Sequence, residues 1–354
     1  MTRDFCLGAT TLSGGNGGIG RVARMSAQAL FDAGHTLDMI TLLDKGPLDF
    51  AGQRVIATDN NKIAFALRCH LAALRQPLFL YDSAGPARAH PFLPGLKRPY
   101  AIWIHGIEVW GPNLRADYAK VVKGADLVLV NSHFTLEHAQ KAMGSLPQAK
   151  VCWLATEQDA ESTRQIDPEA PPSVLILGRI DEAESYKGHQ ELVAAWADVV
   201  AAVPNARLLI GGGGSGLDGL RAQIAASPAA ANIDVLGFIP EGEIENLWHR
   251  ASVFAMPSRG EGFGLVYIEA MRHGLPVIAS RHDAGQEVNV DGQTGFNVDL
   301  DAPGNLTARL IDLLANPALR QSMGEAGRQR WRQNFRFSAF KQRFLPLIER
   351  FAAN

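Results

Sequence analysis

Short apolar runs alternate with longer segments of helical periodicity along most of this chain. FCLGAT (5–10) and TLDMITLL (36–43) are two such runs, and most of the runs are almost continuously apolar. Strands of this kind are buried on both faces, which is typical of parallel sheets covered by helices. A polar, proline-containing stretch at 158–172 interrupts the alternation, which resumes with SVLILGR (173–179). The pattern predicts two doubly wound α/β domains of Rossmann type joined by a linker.

The length of 354 residues also suits two domains better than one. We expect a first domain over 1–160, a linker over 161–172 and a second domain over 173–325, followed by a helical tail. The further predicted strands lie at 77–81, 100–105, 126–130, 150–155, 206–212, 232–238, 252–258, 275–280 and 295–298.

Charge and cysteine content narrow the class of protein. The chain has 34 basic and 36 acidic residues, a balance that gives no support for a nucleic-acid partner. Its three cysteines are scattered in apolar segments, which predicts free thiols in a reducing cytosol. Residues 1–20 do not resemble a secretion signal, and no apolar run is long enough to span a bilayer, so we expect a cytoplasmic protein. The amphipathic segment 62–75 and the basic tail add a possible anionic membrane surface as partner, at the inner face of the cytoplasmic membrane.

Residues 257–280, PSRGEGFGLVYIEAMRHGLPVIAS, carry the most information about chemistry. Glu261 and Glu269 are eight residues apart, and Gly264 precedes a segment, 265–272, that is expected to be helical. The backbone N–H groups at 263–265 and the helix dipole would together form an anion site. The segment therefore predicts hydrogen-bond donors for a phosphate group, beside two carboxylates suited to binding hydroxyl groups.

The sequence pattern EGFG-x4-EAM-x2-G-x-PV, with its E-x7-E spacing, resembles the motif of the retaining glycosyltransferases of family 4. The resemblance implies that Glu261 contacts the donor sugar and that Glu269 binds the ribose of the nucleotide. It also implies the GT-B fold, in which two Rossmann-like domains face a central cleft and the last helix, here 326–354, crosses back to the N-terminal domain. The implied activity is transfer of a hexose from a UDP- or GDP-sugar to a hydroxyl of a saccharide or lipid-linked saccharide. Biosynthesis of a cell-surface polysaccharide or lipopolysaccharide is the expected setting.

Two cations follow the predicted strand SVLILGR. Arg179 and Lys187 stand where ligands bind in α/β proteins, at the carboxyl end of a strand, and both suit a diphosphate. The resemblance assigns them to the donor pyrophosphate and its leaving group. With this charge available we expect no metal cofactor, and we interpret Asp299-Leu300-Asp301 as a turn rather than a metal motif.

Other candidate residues follow strands or glycine loops. His105 ends an apolar run, and the resemblance places it near the reacting carbon. Glu108, Asp82 and Ser132 are candidates for acceptor binding, because they lie at or just after strand ends. The resemblance places the remaining donor contacts at Gly17, Gly18, Phe238, Ile239, Ser258, Gly262, Phe263, Gly264 and Leu265.

Two other interpretations stay open at this point. Two segments, 15–20 and 211–216, satisfy the dinucleotide pattern G-x-G-x-x-G, which would suit an NAD-dependent oxidoreductase. A catalytically silent GT-B subunit that scaffolds a polysaccharide assembly would carry the same fold without turnover. The Glu261–Glu269 segment favours the transferase, because the oxidoreductase leaves it unexplained.

Overall fold

The computed structural model describes residues 3–15, 17–111, 114–163 and 170–353. The chain divides into two compact units, one formed by Met1–Gln158 with Arg336–Asn354 and the other by Asp159–Phe335. The middle of the predicted linker, 164–169, lies outside the described residues. The residues around its beginning belong to the second unit, where the Arg272 side chain donates to the Ala160 carbonyl and Ser162 bonds to His273.

The first unit contains a sheet with the order β3-β4-β2-β1-β5-β6-β7-β8. All neighbouring strands are parallel except β3 and β4, which form an antiparallel hairpin. The strands are β1 (Asp4–Ala9), β2 (Thr36–Thr41), β3 (Leu48–Phe50), β4 (Gln53–Ala57), β5 (Leu78–Tyr81), β6 (Tyr100–Ile104), β7 (Leu127–Val130) and β8 (Ala149–Val151). The central strands are buried almost throughout, as their continuously apolar sequences predict.

The first unit also contains helices. They are α1 (Gly17–Asp32), α2 (Lys62–Ala72), α3 (Ala84–Ala87), α4 (Ile107–Trp110), α5 (Ala116–Lys123), α6 (His133–Met143) and the last helix, α14 (Phe337–Ala353). The strand order reverses its direction between β1 and β5, so the loops after these two strands meet at a topological switch point. Cys6, Cys69 and Cys152 are buried and unpaired, as predicted.

The second unit contains an entirely parallel sheet with the order β11-β10-β9-β12-β13-β14. Its strands are β9 (Ser173–Leu177), β10 (Arg207–Gly211), β11 (Ile233–Gly237), β12 (Val253–Ala255), β13 (Val277–Ser280) and β14 (Gly295–Val298). Its helices are α7 (His189–Ala202), α8 (Leu217–Ala225), α9 (Glu241–Arg250), α10 (Leu265–Arg272), α11 (Gly285–Val288), α12 (Asn305–Ala315) and α13 (Pro317–Asn334). This is the Rossmann order, and its switch point lies between β9 and β12.

The prediction of one helical tail over 326–354 is wrong in its extent. Two helices, α13 and α14, cover this region, and the chain leaves the second unit between Phe335 and Arg336. Phe335 leaves helical geometry at φ −125° and ψ 12° and is fully buried, with its ring against Phe263. The following helix buries Phe340 and Phe344 against Trp103 of the first unit. The break is needed because these two aromatic groups belong to different cores.

In the part of the chain that the structure describes, no helix combines the length and apolar character that crossing a bilayer requires.

Candidate functional site

Three loops of the second unit converge at the carboxyl ends of the adjacent strands β9, β12 and β13. They are the loop and 3-10 turn at 178–188, the loop at 256–264 and the loop at 281–284. The first two flank the switch point between β9 and β12, where open α/β sheets bind ligands. Sequence reasoning placed Arg179, Lys187 and Glu261 on these loops, and the fold brings all three together.

The loop at 256–264 ends in the N-terminus of α10. Gly264 is the N-cap, with φ 85° and ψ 73°, and α10 runs over Leu265–Arg272, the range that the sequence predicted. A side chain at Gly264 would be strained at this φ, and its Cβ would lie 2.3 Å from the Tyr267 ring. No side chain caps the helix at its N-cap, so the N-terminal amides and the helix dipole favour an anion there.

Charged side chains from two of the loops form a continuous cluster. Lys187 Nζ lies 3.0 Å from Glu261 Oε1 and 3.4 Å from Glu184 Oε2. The other oxygen of Glu184 accepts a hydrogen bond from Arg179. Lys187 and Glu261 are largely enclosed, whereas the Arg179 side chain is 68% exposed. The cluster therefore presents an exposed cation next to a largely enclosed ion pair.

Burial by itself would lower the pKa of Lys187, but the attraction of Glu261 and Glu184 outweighs it and raises that pKa above its ordinary value. The neighbouring His189 shows the opposite balance. Burial, followed by repulsion from Lys187, lowers the pKa of His189 to about 4. At neutral pH the cluster therefore contains a charged lysine beside an uncharged histidine.

Close packing holds the turn at 182–187 against the loop that carries Glu261. The Arg259 backbone N–H donates to the Tyr186 carbonyl at 2.9 Å. A Cβ on Gly260 would lie 2.9 Å from the Tyr186 ring, and one on Gly188 would lie 2.6 Å from the Pro257 carbonyl oxygen. Glycine is required at both positions because the two loops touch there.

Asp283, which the sequence analysis did not identify, supports the loop that carries Glu261. Its carboxylate accepts hydrogen bonds from the backbone N–H groups of Glu261, at 3.0 Å, and Gly285, at 2.9 Å. Burial raises the pKa of Asp283 to about 7, although these hydrogen bonds oppose the shift. Ser258, predicted to contact phosphate, is fully buried, and its hydroxyl accepts from the Gly260 N–H at 3.2 Å. In this structure Ser258 organises the loop, and its contact with phosphate stays a prediction.

The remaining donor-side candidates of this unit differ in exposure. Phe238, directly after β11, leaves 77% of its surface exposed, so it is not a core residue, and Ile239 is half-buried. Phe263 is buried against Phe335, so the Phe263 backbone rather than its ring is available to a ligand. Leu265 and Glu269 are half-buried on α10, and Gly262 is buried.

The glycine pattern at 211–216 serves packing within the unit. A Cβ on Gly212 would lie 1.8 Å from the Gly178 carbonyl oxygen, and Gly212 has φ 140°. The Gly216 N–H donates to the Ile180 carbonyl at 2.7 Å. The segment is thus in direct contact with the loop that carries Arg179, which accounts for Gly212 and Gly216 without a dinucleotide.

Comparisons with known proteins test the family resemblance and the fold. The family model described as "Glycosyl transferases group 1" matches residues 158–330. A GDP-mannose-dependent monoacylated alpha-(1-6)-phosphatidylinositol monomannoside mannosyltransferase of Corynebacterium glutamicum is 30% identical over 266 residues, which is 69% of this chain and 68% of the relative. The chain belongs to the group 1 glycosyltransferases. This confirms the resemblance to glycosyltransferases of family 4.

Solved structures share the fold of this group 1 glycosyltransferase. Sucrose-phosphate synthase from Thermosynechococcus elongatus superposes with a TM-score of 0.83 at 22% identity, covering 99% of this chain and 100% of that one. Anabaena HepE, in complex with UDP and glucose, has a TM-score of 0.79 at 16% identity, covering 99% of this chain and 100% of the other. At these identities the likeness establishes the fold, which confirms the predicted GT-B class. The comparisons give no support to an oxidoreductase.

In the first unit of this glycosyltransferase, His105 follows β6 and is half-buried. Its Nε2 lies 2.6 Å from the Asp82 carbonyl oxygen and donates a hydrogen bond to it. The Asn131 amide donates to the His105 carbonyl at 2.6 Å. Gly17 and Gly18 begin α1 and are exposed at its N-terminus, after the switch-point strand β1.

The three acceptor candidates of this glycosyltransferase bond to neighbouring groups of the first unit. Asp82 is fully buried, and its carboxylate accepts from the Thr10 backbone N–H at 2.6 Å. Ser132 is also fully buried and caps α6, where it accepts from the Thr135 N–H at 2.9 Å. In this structure both side chains position backbone groups, and their contact with an acceptor stays a prediction. Glu108 accepts from the His105 backbone N–H at 2.6 Å, which uses one carboxylate oxygen.

Proposed function

We propose that this chain transfers a hexose from a nucleoside-diphosphate sugar to a hydroxyl of a saccharide or lipid-linked saccharide, with retention of the anomeric configuration. The observation that carries the proposal is the cluster of Arg179, Lys187 and Glu261 at the carboxyl ends of β9 and β12. Group 1 glycosyltransferase membership supports the reaction type.

The donor's parts match the parts of the site. Arg179, Lys187 and the N-terminal amides of α10 would hold the diphosphate and stabilise the charge that develops on it as the sugar leaves. Glu261 would accept hydrogen bonds from sugar hydroxyls, and Glu269 from the ribose. The departing phosphate oxygen would take the proton of the acceptor hydroxyl on the same face of the sugar.

Metal independence is part of the proposal. Among the described residues, His282, Asp299 and Asp301 lie close enough together to hold an ion. Their polar atoms already have partners: Arg281 lies 3.1 Å from Asp299, Arg259 lies 2.7 Å from Asp301, and the Leu300 N–H donates to His282 Nε2. This supports the interpretation of Asp299-Leu300-Asp301 as a turn, and leaves charge neutralisation to Arg179 and Lys187.

Relatives narrow the donor and the acceptor. The Corynebacterium enzyme is named for GDP-mannose and for a phosphatidylinositol mannoside, and HepE was solved with UDP. A guanosine or uridine donor and a lipid-anchored saccharide acceptor, in cell-surface glycan synthesis, are therefore proposed here. The exposed ring of Phe238 is suited to stacking on the base.

An anionic membrane surface at the cytoplasmic face is proposed as the place where such an acceptor is met. Helix α2 exposes Ile63, Leu67 and Leu71 at helical spacing, and Leu74 just beyond its end continues the stripe. Phe92, 77% exposed, joins it through an edge-on contact with the His70 ring. The flanking basic residues Lys62, Arg68 and Arg75 are exposed, which suits lipid head groups.

Nucleotide binding tests the donor site. Thermal unfolding is followed with UDP, GDP, ADP and NAD, because a ligand that binds the folded state raises the melting temperature. We expect a shift with UDP or GDP that is lost in Arg179→Ala and in Glu269→Ala but kept in Arg221→Ala, which removes an exposed arginine of α8. A shift with NAD alone would contradict the proposal.

Vesicle binding tests the membrane surface. Cosedimentation with phosphatidylglycerol-containing vesicles should exceed that with phosphatidylcholine alone, and should fall in the double variant Ile63→Ser/Leu67→Ser. Leu43→Ser is the matched control, since Leu43 is an exposed leucine of the same unit that does not belong to α2. Background binding of the wild type to anionic vesicles at low salt would remove the membrane from the proposal.

A further inference from the structure

Glu184 bridges the two cations that the proposed function assigns to the donor diphosphate. One carboxylate oxygen pairs with Arg179 and the other lies 3.4 Å from Lys187 Nζ. The spacing of two anionic oxygens between these two cations is the arrangement that a phosphate group would adopt.

The two cations of the cluster are already neutralised without a ligand. Its two cations face three carboxylates, since Asp181 lies 3.9 Å from Arg179, Glu184 contacts both cations and Glu261 contacts Lys187. A diphosphate brings at least two further negative charges, so it cannot enter at low cost unless one carboxylate withdraws.

Glu184 is the carboxylate whose side chain is held by the two donor-site cations themselves. Asp181 accepts from the Ser215 N–H at 3.0 Å as well as from its hydroxyl, and the backbone of Glu261 is fixed by Asp283. Glu184 Oε2 is instead buried without a hydrogen bond, despite its proximity to Lys187. Glu184 also lies at an irregular point of the 3-10 turn, with φ −116° and ψ 29°. An enclosed, incompletely bonded carboxylate on an irregular turn is displaced more easily than the other two.

We propose that Glu184 is an internal competitor of the donor diphosphate. In the donor-free enzyme its carboxylate occupies the position between Arg179 and Lys187, keeps both cations in place, and withdraws when the diphosphate arrives. The competition lowers the affinity for the nucleoside diphosphate, which is also a product of the reaction, and so favours its release. This inference rests on the proposed donor site and adds a residue that tunes it.

The test compares Glu184→Gln with the wild type by calorimetric titration of UDP, GDP and inorganic pyrophosphate. Glutamine keeps the shape of the side chain and removes its charge. We therefore expect both the preferred nucleotide and pyrophosphate to bind about fivefold more tightly to Glu184→Gln. A change of this size is typical of the loss of one partly exposed ion pair. Glu182→Gln is the matched control, because Glu182 is an exposed carboxylate of the same turn. Its affinities should stay close to those of the wild type.

The outcomes separate this inference from the function on which it rests. Unchanged or weaker binding by Glu184→Gln, while the wild type binds UDP or GDP, would overturn the competitor role alone and make Glu184 a support for the cations. An equal gain in Glu182→Gln would also overturn it, because net charge would then explain the effect. Absence of nucleotide binding in the wild type and in both variants would instead refute the proposed function and the inference together.

Discussion

Asp82 and Asp283 place buried carboxylates under a functional loop in each unit. Asp82 accepts from the backbone of Thr10, and Asp283 accepts from the backbone of Glu261. Burial raises the pKa of each to about 7, against hydrogen bonds that favour the ionised form. Neither role was visible in the sequence, where a polar residue at a strand end predicts contact with ligand. Here the side chains turn inward and satisfy backbone donors, a choice that only the folded neighbours determine.

The titration of Asp82 predicts a pH dependence of stability. Its pKa is about 7 in the folded protein and near 3.8 when unfolded, so unfolding between these values releases a proton. The contribution of Asp82 to the free energy of unfolding is therefore fully present below about pH 4 and is lost as the pH rises through 7. Between pH 5 and 8 we expect the free energy of unfolding to fall less in Asp82→Asn than in the wild type, by on the order of 1 kcal/mol or more. Urea unfolding at a series of pH values measures this difference. Identical slopes for the variant and the wild type would contradict this account.

The residues of the family motif, unlike Asp82 and Asp283, could be assigned their site from the sequence. Arg179, Lys187 and Glu261 were identified from a family pattern, and the fold brings them within hydrogen-bonding or ion-pair distance of one another or of Glu184. Glu184 itself could not be identified, because its importance arises from lying between two cations that are eight residues apart in sequence.

At the scale of elements, the buried strands and the site helix were predictable. Continuous apolar runs gave the strands to within a few residues, and α10 has the predicted bounds. The hairpin of β3 and β4 was missed, since LDFAGQRVIA (48–57) lacks a clear period-two alternation. Its turn depends on Ala51 and Gly52, both with positive φ, and alanine gives no signal for that geometry.

The glycine loop after β10 gives a prediction at this scale. Gly212→Ala should destabilise the protein by about 3 kcal/mol or more, because its Cβ would overlap the Gly178 carbonyl oxygen at a φ that alanine avoids. Gly219→Ala is the matched control: it lies in α8 at an exposed position with open space around its Cβ, and should stabilise by about 0.5–1 kcal/mol. Chemical unfolding of both variants measures the difference. A small loss of stability in Gly212→Ala would show that the loop adapts easily to the added Cβ.

At the scale of the whole molecule, the repeat of strand and helix series predicted two Rossmann-like units, and the GT-B class is confirmed. The course of the tail was less predictable. Helical periodicity continues through 323–354, and nothing in the pattern marks Phe335 as a break. The break follows from burial, because Trp331 and Phe335 are enclosed in the second unit whereas Phe340 and Phe344 are enclosed in the first.

The return of α14 to the first unit predicts where a tail mutation acts. Phe340 lies 6.2 Å from Trp103 and 5.1 Å from Phe344, measured between ring centroids, and is fully buried. Phe340→Ala should therefore cost about 3–5 kcal/mol. Hydrogen exchange should accelerate in β1 and β6 much more than in β9 and β10. Equal acceleration in both sheets would contradict the assignment of α14 to the first unit.

The central claim is that Glu261 acts on the donor sugar while Arg179 and Lys187 hold its diphosphate. The most direct measurement is turnover of a nucleoside-diphosphate sugar by Glu261→Ala, together with its affinity for the free nucleoside diphosphate. Glu243→Ala, which removes an exposed carboxylate of α9, is the control. We predict that Glu261→Ala lowers kcat by about 100-fold or more while the nucleotide Kd stays within about threefold of the wild-type value. Wild-type turnover by Glu261→Ala would contradict the claim.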